Sequence, residues 1–295
     1  MKAIKRVILT VKSTLSPSDD SIGRTLSILD RCSVDVRIDF KHASKCLAAR
    51  GRARATSLEN ADALVVLGGD GTIFRAIRHL VDFSMPMLTV NRGAVGFLAE
   101  STLDDADSVL PELLAGKGII DARALLFVEV RRGKKTILTS AALNEIVVSQ
   151  GAIARLLDLR ACVDGNPLTT FHADGLIVAT PTGSTAYSLA AGGPIVHPRL
   201  SSIILTPLNP HSFSQKPLVL PGNSVIEIEV LQRTDKFKAS EVSLTFDGQV
   251  YEQLSHGDIV RIKTHDECAL FARRREDTFF ETLRSKLKWG EKPGQ

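Results

Sequence analysis

Two kinds of apolar patterning divide this chain. Over roughly the first 121 residues, short continuous apolar runs alternate with stretches of helical spacing. Residues 4–11 read as a buried strand. A polar loop over 13–20 precedes Ile22, Leu26 and Leu29, whose spacing predicts a helix over 21–32. Val34, Val36 and Ile38 alternate like a strand. Residues 41–58 are polar and ambiguous; their basic piece, Arg50-Gly51-Arg52-Ala53-Arg54, suits a solvated face or a phosphate-attracting edge. The apolar run 63–67 ends in Gly68-Gly69-Asp70-Gly71-Thr72, and Ile73, Ile77 and Leu80 then recur at helical spacing. A further strand is expected at 87–90, a loop at 91–96 and a helix at 104–114. Strands alternating with helices predict a parallel sheet covered on both faces.

From about Ala122 to Ala272 the periodicity changes to that of strands. Leu126, Val128 and Val130 alternate with polar residues, and 137–149, 157–163, 176–179, 203–206, 225–231, 242–246 and 259–263 read as strands. Arg132-Gly133-Lys134 is a turn, and Asp164-Gly165 and Asp247-Gly248 stand where hairpin turns would. One short helix is expected over 185–191. An amphipathic closing helix is expected over 276–289, with Phe279, Phe280, Leu283 and Leu287 on its apolar side.

Composition narrows the classes. A chain of 295 residues with 44% hydrophobic and 24% charged residues supports two globular domains rather than disorder. The net charge of +4 favours an anionic ligand but is too weak to imply nucleic acid, and the few aromatic residues form no base-stacking platform. Cys32, Cys46, Cys162 and Cys268 lie far apart, as reduced thiols of a cytoplasmic protein would. No signal-peptide core and no bilayer-length apolar run is present, so neither export nor a membrane is expected.

Three segments carry chemistry. In Gly68-Gly69-Asp70-Gly71-Thr72 the glycines let the backbone approach an anion, and the following helix start favours phosphate. A carboxylate in such a loop would repel phosphate unless Asp70 meets a hydroxyl or a metal ion beside it; the plainer alternative is that Asp70 caps the helix. Asn144-Glu145 sits inside an otherwise apolar run, either as a strand end in solvent or as an amide and carboxylate aimed at ligand hydroxyls or a base edge. The third segment runs from Asp174 through Thr180-Pro181-Thr182-Gly183-Ser184-Thr185-Ala186-Tyr187-Ser188 to Ala191-Gly192-Gly193-Pro194. Its hydroxyls and bare amides could surround an adenine or ribose, with Tyr187 stacking on a ring.

Together these segments resemble the bacterial and archaeal NAD kinases, whose wider superfamily shares the Gly-Gly-Asp-Gly-Thr loop with lipid kinases and 6-phosphofructokinases. Thr206-Pro207-Leu208-Asn209-Pro210-His211-Ser212, Pro217-Leu218-Val219-Leu220-Pro221 and Asp247-Gly248-Gln249 extend the likeness over residues 64–249. Asn91 to Leu98 is a looser match, Lys216 stands where arginine is common, and Ala190 where serine is common. The resemblance implies a Rossmann-like α/β domain of residues 1–121 with 272–295, and a β-sandwich NAD-binding domain of residues 122–271. It also implies a homodimer or homotetramer, and ATP with Mg²⁺ or another divalent cation phosphorylating NAD to NADP. By the same resemblance Gly68, Gly69, Gly71 and Thr72 hold phosphate, and Asp70 receives the proton or hydrogen bond of the adenosine 2′-hydroxyl. Asn144 and Glu145 hold the ribose and adenine side, Thr185, Ala186 and Tyr187 frame the adenine, and Asp174 meets the nicotinamide carboxamide. Asp247 lies near the reacting end, and Gly71, Phe97, Ser188 and Gln249 complete the NAD contacts. His172 inclines the expectation toward NAD over NADH. A lipid kinase with the same loop, or a non-catalytic NAD(P)H-binding regulator, are the alternatives.

Overall fold

The computed structural model describes residues 1–16, 18–39, 47–80, 82–93, 97–99, 101–151, 156–231, 242–274 and 279–288. The loop motif at 94–96, part of the ambiguous 41–58 stretch, Cys46 and the ends of the expected closing helix lie outside the described residues. The chain forms two compact units: Met1–Ala122 with Ala269–Gln295, and Arg123–Cys268.

In the first unit, β1 (Arg6–Val11), β2 (Asp35–Asp39), β3 (Arg54–Ala55), β4 (Ala63–Leu67), β5 (Met87–Asn91) and β6 (Ser101–Thr102) pair in parallel in the order β3-β2-β1-β4-β5-β6. Three helices accompany them: α1 (Asp20–Arg31), α2 (Asp70–His79) and α3 (Ala106–Leu114). β4 is buried at every position, as expected for a strand covered on both faces. Val7, Leu9, Ile22, Leu26, Leu29, Val65, Leu88, Val109 and Leu113 share one core. The α1 start is capped by Asp19, whose Oδ1 accepts from the Ser21 amide at 3.0 Å.

The second unit begins within β7 (Ile119–Arg132) and ends within β18 (Ile259–Arg273), and its strands are antiparallel. One layer contains β7, β8 (Lys135–Ala142), β10 (Leu157–Val163), β11 (Asn166–Ala173), β15 (Ile226–Leu231) and β18. The other runs β14 (Leu218–Pro221), β13 (Ser202–Leu208), β12 (Gly175–Ala179), β9 (Glu145–Gln150), β16 (Val242–Phe246), β17 (Val250–Leu254). Val128, Ile146, Val148, Leu159, Phe171, Leu176, Val178, Leu244 and Phe246 fill the core of this sandwich. The far side of the second sheet is apolar too: Val147, Ile177, Ala179, Ile204 and Leu208 pack with Ala191 and Val196. Burial on both faces explains why β12 reads as a continuous apolar run.

The expected strand over 137–149 is two strands. β8 ends at Ala142 and β9 begins at Glu145, in the other sheet. The apolar pattern runs through this break because Leu143 is itself fully buried. The turns at Asp164-Gly165 and Asp247-Gly248 are hairpin turns, with φ of 52° and 77°, and 48° and 65°. The expected helix near 185–191 resolves into a 3₁₀ turn, Thr182–Thr185, and α4 (Tyr187–Ala190); α5 (Phe279–Leu287) follows β18 and buries Leu283.

Candidate active site

The glycine turn of the first unit is set by close approach. The Gly68 amide donates to the Val90 carbonyl at 2.9 Å, and a β-carbon at Gly68, which has φ +153°, would lie 2.3 Å from Thr72 Oγ1. No side chain fits there. Gly69 occupies the α2 cap position without a side-chain hydrogen bond, so Asp70 is the first residue of the helix and not its cap. The positive end of the helix dipole is therefore beside the Asp70 carboxylate.

Asp70 Oδ1 is buried and has no hydrogen-bond partner among the described residues. Burial raises the Asp70 pKa above the ordinary carboxylate value. The backbone amides of Phe97 and Leu98 and the charges of Lys286 and Arg273 pull it back without cancelling the rise. Arg273, 4% exposed, donates from Nε to Asp121 Oδ2 at 2.8 Å and from Nη2 to the Leu98 carbonyl at 3.4 Å. It thereby braces the loop whose amides meet Asp70. Sequence periodicity gives no sign of this role; the only trace is an arginine closing the apolar run Ala269-Leu270-Phe271-Ala272.

In the second unit, the break between β8 and β9 is closed by Asp247. Its Oδ2 accepts from the Leu143 amide at 3.0 Å, and its Oδ1 accepts from the amides of Asn144 and Glu145 at 2.7 and 3.2 Å. The Asp247 amide returns a bond to the Glu145 carbonyl at 3.0 Å. Glu145 is only 6% exposed, and its Oε2 is buried with no hydrogen-bond partner among the described residues. Burial first, and repulsion from Asp247 second, push the Glu145 pKa up to about 7, against a hydrogen bond from the Tyr187 amide.

The Thr-Pro-Thr-Gly-Ser-Thr segment folds back on the same break. Thr180 donates its amide to the Asn144 carbonyl (2.8 Å) and its hydroxyl to the Leu143 carbonyl (2.6 Å), and its Oγ1 accepts from the Gly183 amide (3.0 Å). Most of the hydroxyls expected to face a ligand are used internally. Ser184 Oγ donates to the Pro181 carbonyl at 2.6 Å and accepts from the Val196 amide at 3.0 Å; Ser188 Oγ bonds Thr206 Oγ1 at 2.9 Å. This segment covers the apolar far side of the sheet, and polar groups turned toward such a surface must find partners. Thr185 and Ala186 stay half-buried and Tyr187 is 48% exposed.

Asn144, Glu145, Tyr187 and Asp247 are thus brought together. Asp174 is not among them: β9 and β12 pair Glu145 with Ala179 and Ser149 with Gly175. Four residue steps along a strand place Asp174 about 13 Å or more from that cluster. Asp174 Oδ2 accepts from Asn209 Nδ2 at 2.9 Å. His172 pairs through Nδ1 with Asp158 across β10 and β11. Gln249 is exposed in the turn that holds Asp247, its amide donating to the Phe246 carbonyl at 2.9 Å. Among the described residues no group of three His, Cys, Asp or Glu could hold a metal ion, and no helix is long and apolar enough to cross a membrane.

Two family models match this chain: ATP-NAD kinase N-terminal domain over residues 6–118 and ATP-NAD kinase C-terminal domain over residues 143–273. An NAD kinase of Geotalea daltonii is 42% identical over 252 residues, which is 85% of this chain and 87% of the relative. A yeast NADH kinase complexed with NADH superposes with a TM-score of 0.88 at 26% identity, covering 98% of this chain and 89% of the other. An NAD kinase from Archaeoglobus fulgidus in complex with ATP gives 0.74 at 27% identity, covering 96% and 98%.

Proposed function

Because this chain belongs to the NAD kinase family, we propose that it transfers the γ-phosphoryl group of ATP to the 2′-hydroxyl of the adenosine ribose of NAD, with Asp70 receiving the hydroxyl's proton. Family membership makes it a phosphotransferase with an alcohol acceptor and leaves the lipid-kinase and non-catalytic alternatives without support.

The observation that carries the residue-level reading is the buried Asp70 Oδ1, which has no donor among the described residues. An unpaired buried acceptor costs ~1–3 kcal/mol, and a substrate hydroxyl would remove that cost. As the ribose oxygen bonds to the γ-phosphorus, the bond to ADP breaks and the proton passes to Asp70. Such base assistance is worth ~10²–10⁴ in rate, with alignment and charge neutralisation supplying the rest. Gly68, Gly69, Gly71 and Thr72 suit the phosphates, since the α2 start offers amides and a positive dipole end. Asn144 and Glu145 take the ribose and adenine side, and Thr185, Ala186 and Tyr187 frame the adenine, Tyr187 having the exposure to stack on it. Phe97, Asp247 and Gln249 belong to the same NAD site and Asp174 to its nicotinamide end; Ser188, fully buried with its hydroxyl bonded to Thr206, supports that site and does not contact NAD. The separation of Asp174 from Glu145 along β12 suits a dinucleotide rather than a single nucleoside.

A divalent cation such as Mg²⁺ enters with ATP as part of the substrate, since phosphate oxygens are the hard donors it prefers. The domain roles follow the two units: phosphate handling in residues 1–121 with 272–295, NAD binding in 122–271. A cytoplasmic homodimer or homotetramer completes the reading, in keeping with the free thiols of Cys32, Cys162 and Cys268.

The test is incubation of the purified protein with ATP, Mg²⁺ and NAD, with NADP read through an NADP-specific dehydrogenase. NADH as acceptor and polyphosphate as donor are parallel arms. Formation of NADP is expected; no NADP in any arm overturns the reading.

A further inference from the structure

We infer that Asp247 is a positioning residue: by tying the amides of Leu143, Asn144 and Glu145 to one buried carboxylate, it fixes the aim of the Asn144–Glu145 pair instead of meeting the reacting atoms itself. This rests on the proposed reading of that pair as dinucleotide ligands.

The geometry is specific. The chain leaves one sheet at Ala142 and joins the other at Glu145, so the amides at 143–145 fall between two ladders. Buried amides without partners are costly, and here both carboxylate oxygens of Asp247 take them, at 3.0, 2.7 and 3.2 Å. Asp247 can do so because it sits at the tip of the β16–β17 hairpin with φ +48°, a conformation that aspartate tolerates and that the Asp247 amide bond to the Glu145 carbonyl holds. At 6% exposure the carboxylate is directed at the backbone of the pair.

The same placement controls charge. The groups acting on the Glu145 carboxyl are the Asp247 carboxylate from the hairpin turn and the Tyr187 amide from α4. Burial and, after it, the Asp247 carboxylate beside it favour Glu145 in its protonated form. Asp247 therefore adds to burial in raising the pH at which Glu145 changes from donor to acceptor toward a ligand hydroxyl.

The experiment compares wild type, Asp247→Asn, Glu145→Gln and the double variant by NADP formation from pH 5.5 to 9 and by amide hydrogen exchange of residues 143–145. Asp247→Asn keeps shape but loses one acceptor and the charge. We expect faster exchange at these amides, a KM for NAD raised about 10-fold with kcat changed less, and the pH midpoint of KM moved down by roughly one unit. In Glu145→Gln the midpoint disappears while the amides stay protected, and in the double variant no midpoint remains to shift. A merely structural Asp247 would not move that midpoint. Thermal unfolding and the KM for ATP separate global damage from this effect. Loss of kcat at every pH with KM and exchange unchanged would place Asp247 on the reacting atoms and overturn the inference; so would unchanged exchange and an unmoved midpoint. Wild type that forms no NADP condemns the functional reading alone, and the exchange rates still decide the tie to the backbone.

Discussion

Gly183 lies against the carbonyl of Asn144 with no room between them: a β-carbon at position 183 would fall 2.1 Å from that oxygen. The loop that frames the expected adenine is thereby seated on the residue expected to hold its ribose. Gly183→Ala must push the loop or the break at Asn144 aside. Overpacking of this kind costs roughly 1–3 kcal/mol. The expected result is a lower melting temperature and a KM for NAD raised by about 10-fold or more, with the KM for ATP little changed; steady-state kinetics with each substrate varied in turn checks it.

Asp70→Asn keeps the volume of the side chain and removes its basicity. Turnover should fall at least ~10²-fold, the share assigned to base assistance. The dissociation constant for NAD, measured by calorimetry, should stay within a few-fold. Turnover at the wild-type rate would refute the proton transfer to Asp70.

Glu145 gives stability a definite pH dependence. Its folded-state pKa is raised from 4.5 to about 7, so between these values the folded protein holds a proton that the unfolded chain has released. The sign follows: the contribution is fully present below about pH 4.5, is lost as pH rises toward 7, and stays lost above. A shift of this size corresponds to about 3 kcal/mol. Glu145→Gln should flatten the stability curve across this window and stabilise the protein above pH 7. Urea unfolding at pH 5, 6, 7 and 8 measures both effects.

Arg273→Met removes the brace beneath Leu98 and the ion pair from Arg273 to Asp121. Loss of one member of a buried pair costs ~3–5 kcal/mol; the 19% exposure of the Asp121 side chain puts the expected cost toward the low end. Because the loop amides at Phe97 and Leu98 meet Asp70, kcat should also fall, and the acid limb of the kcat profile should move. Asp121→Asn added to Arg273→Met should recover stability without recovering kcat.

The sheets were readable where burial is complete. β4 and β16 follow their apolar runs closely, β10 follows its alternation of buried and polar positions, and the hairpin turns at Asp164-Gly165 and Asp247-Gly248 follow from residues that accept positive φ. β11 and β14 were not readable, because they are edge strands whose residues are mostly exposed and carry no hydrophobic period. The expected strand ended at 263 because Thr264 to Glu267 is polar and interrupts the apolar pattern, whereas β18 itself continues to Arg273. The break at Leu143-Asn144 was hidden for the opposite reason: burial on both sides of it keeps the run apolar.

By itself the sequence determined the family, the two styles of patterning and the residue types at the candidate site, because glycines, paired polar residues and apolar periods are local properties. Only the tertiary structure decided what each polar group does. Ser184 and Ser188 spend their hydroxyls inside the protein, and Asp247 spends its carboxylate on three amides 102 to 104 residues away. Asp70 Oδ1 and Glu145 Oε2 are left buried without a partner among the described residues. Whether a buried polar atom is paired depends on which distant segment packs against it, and no local pattern records that.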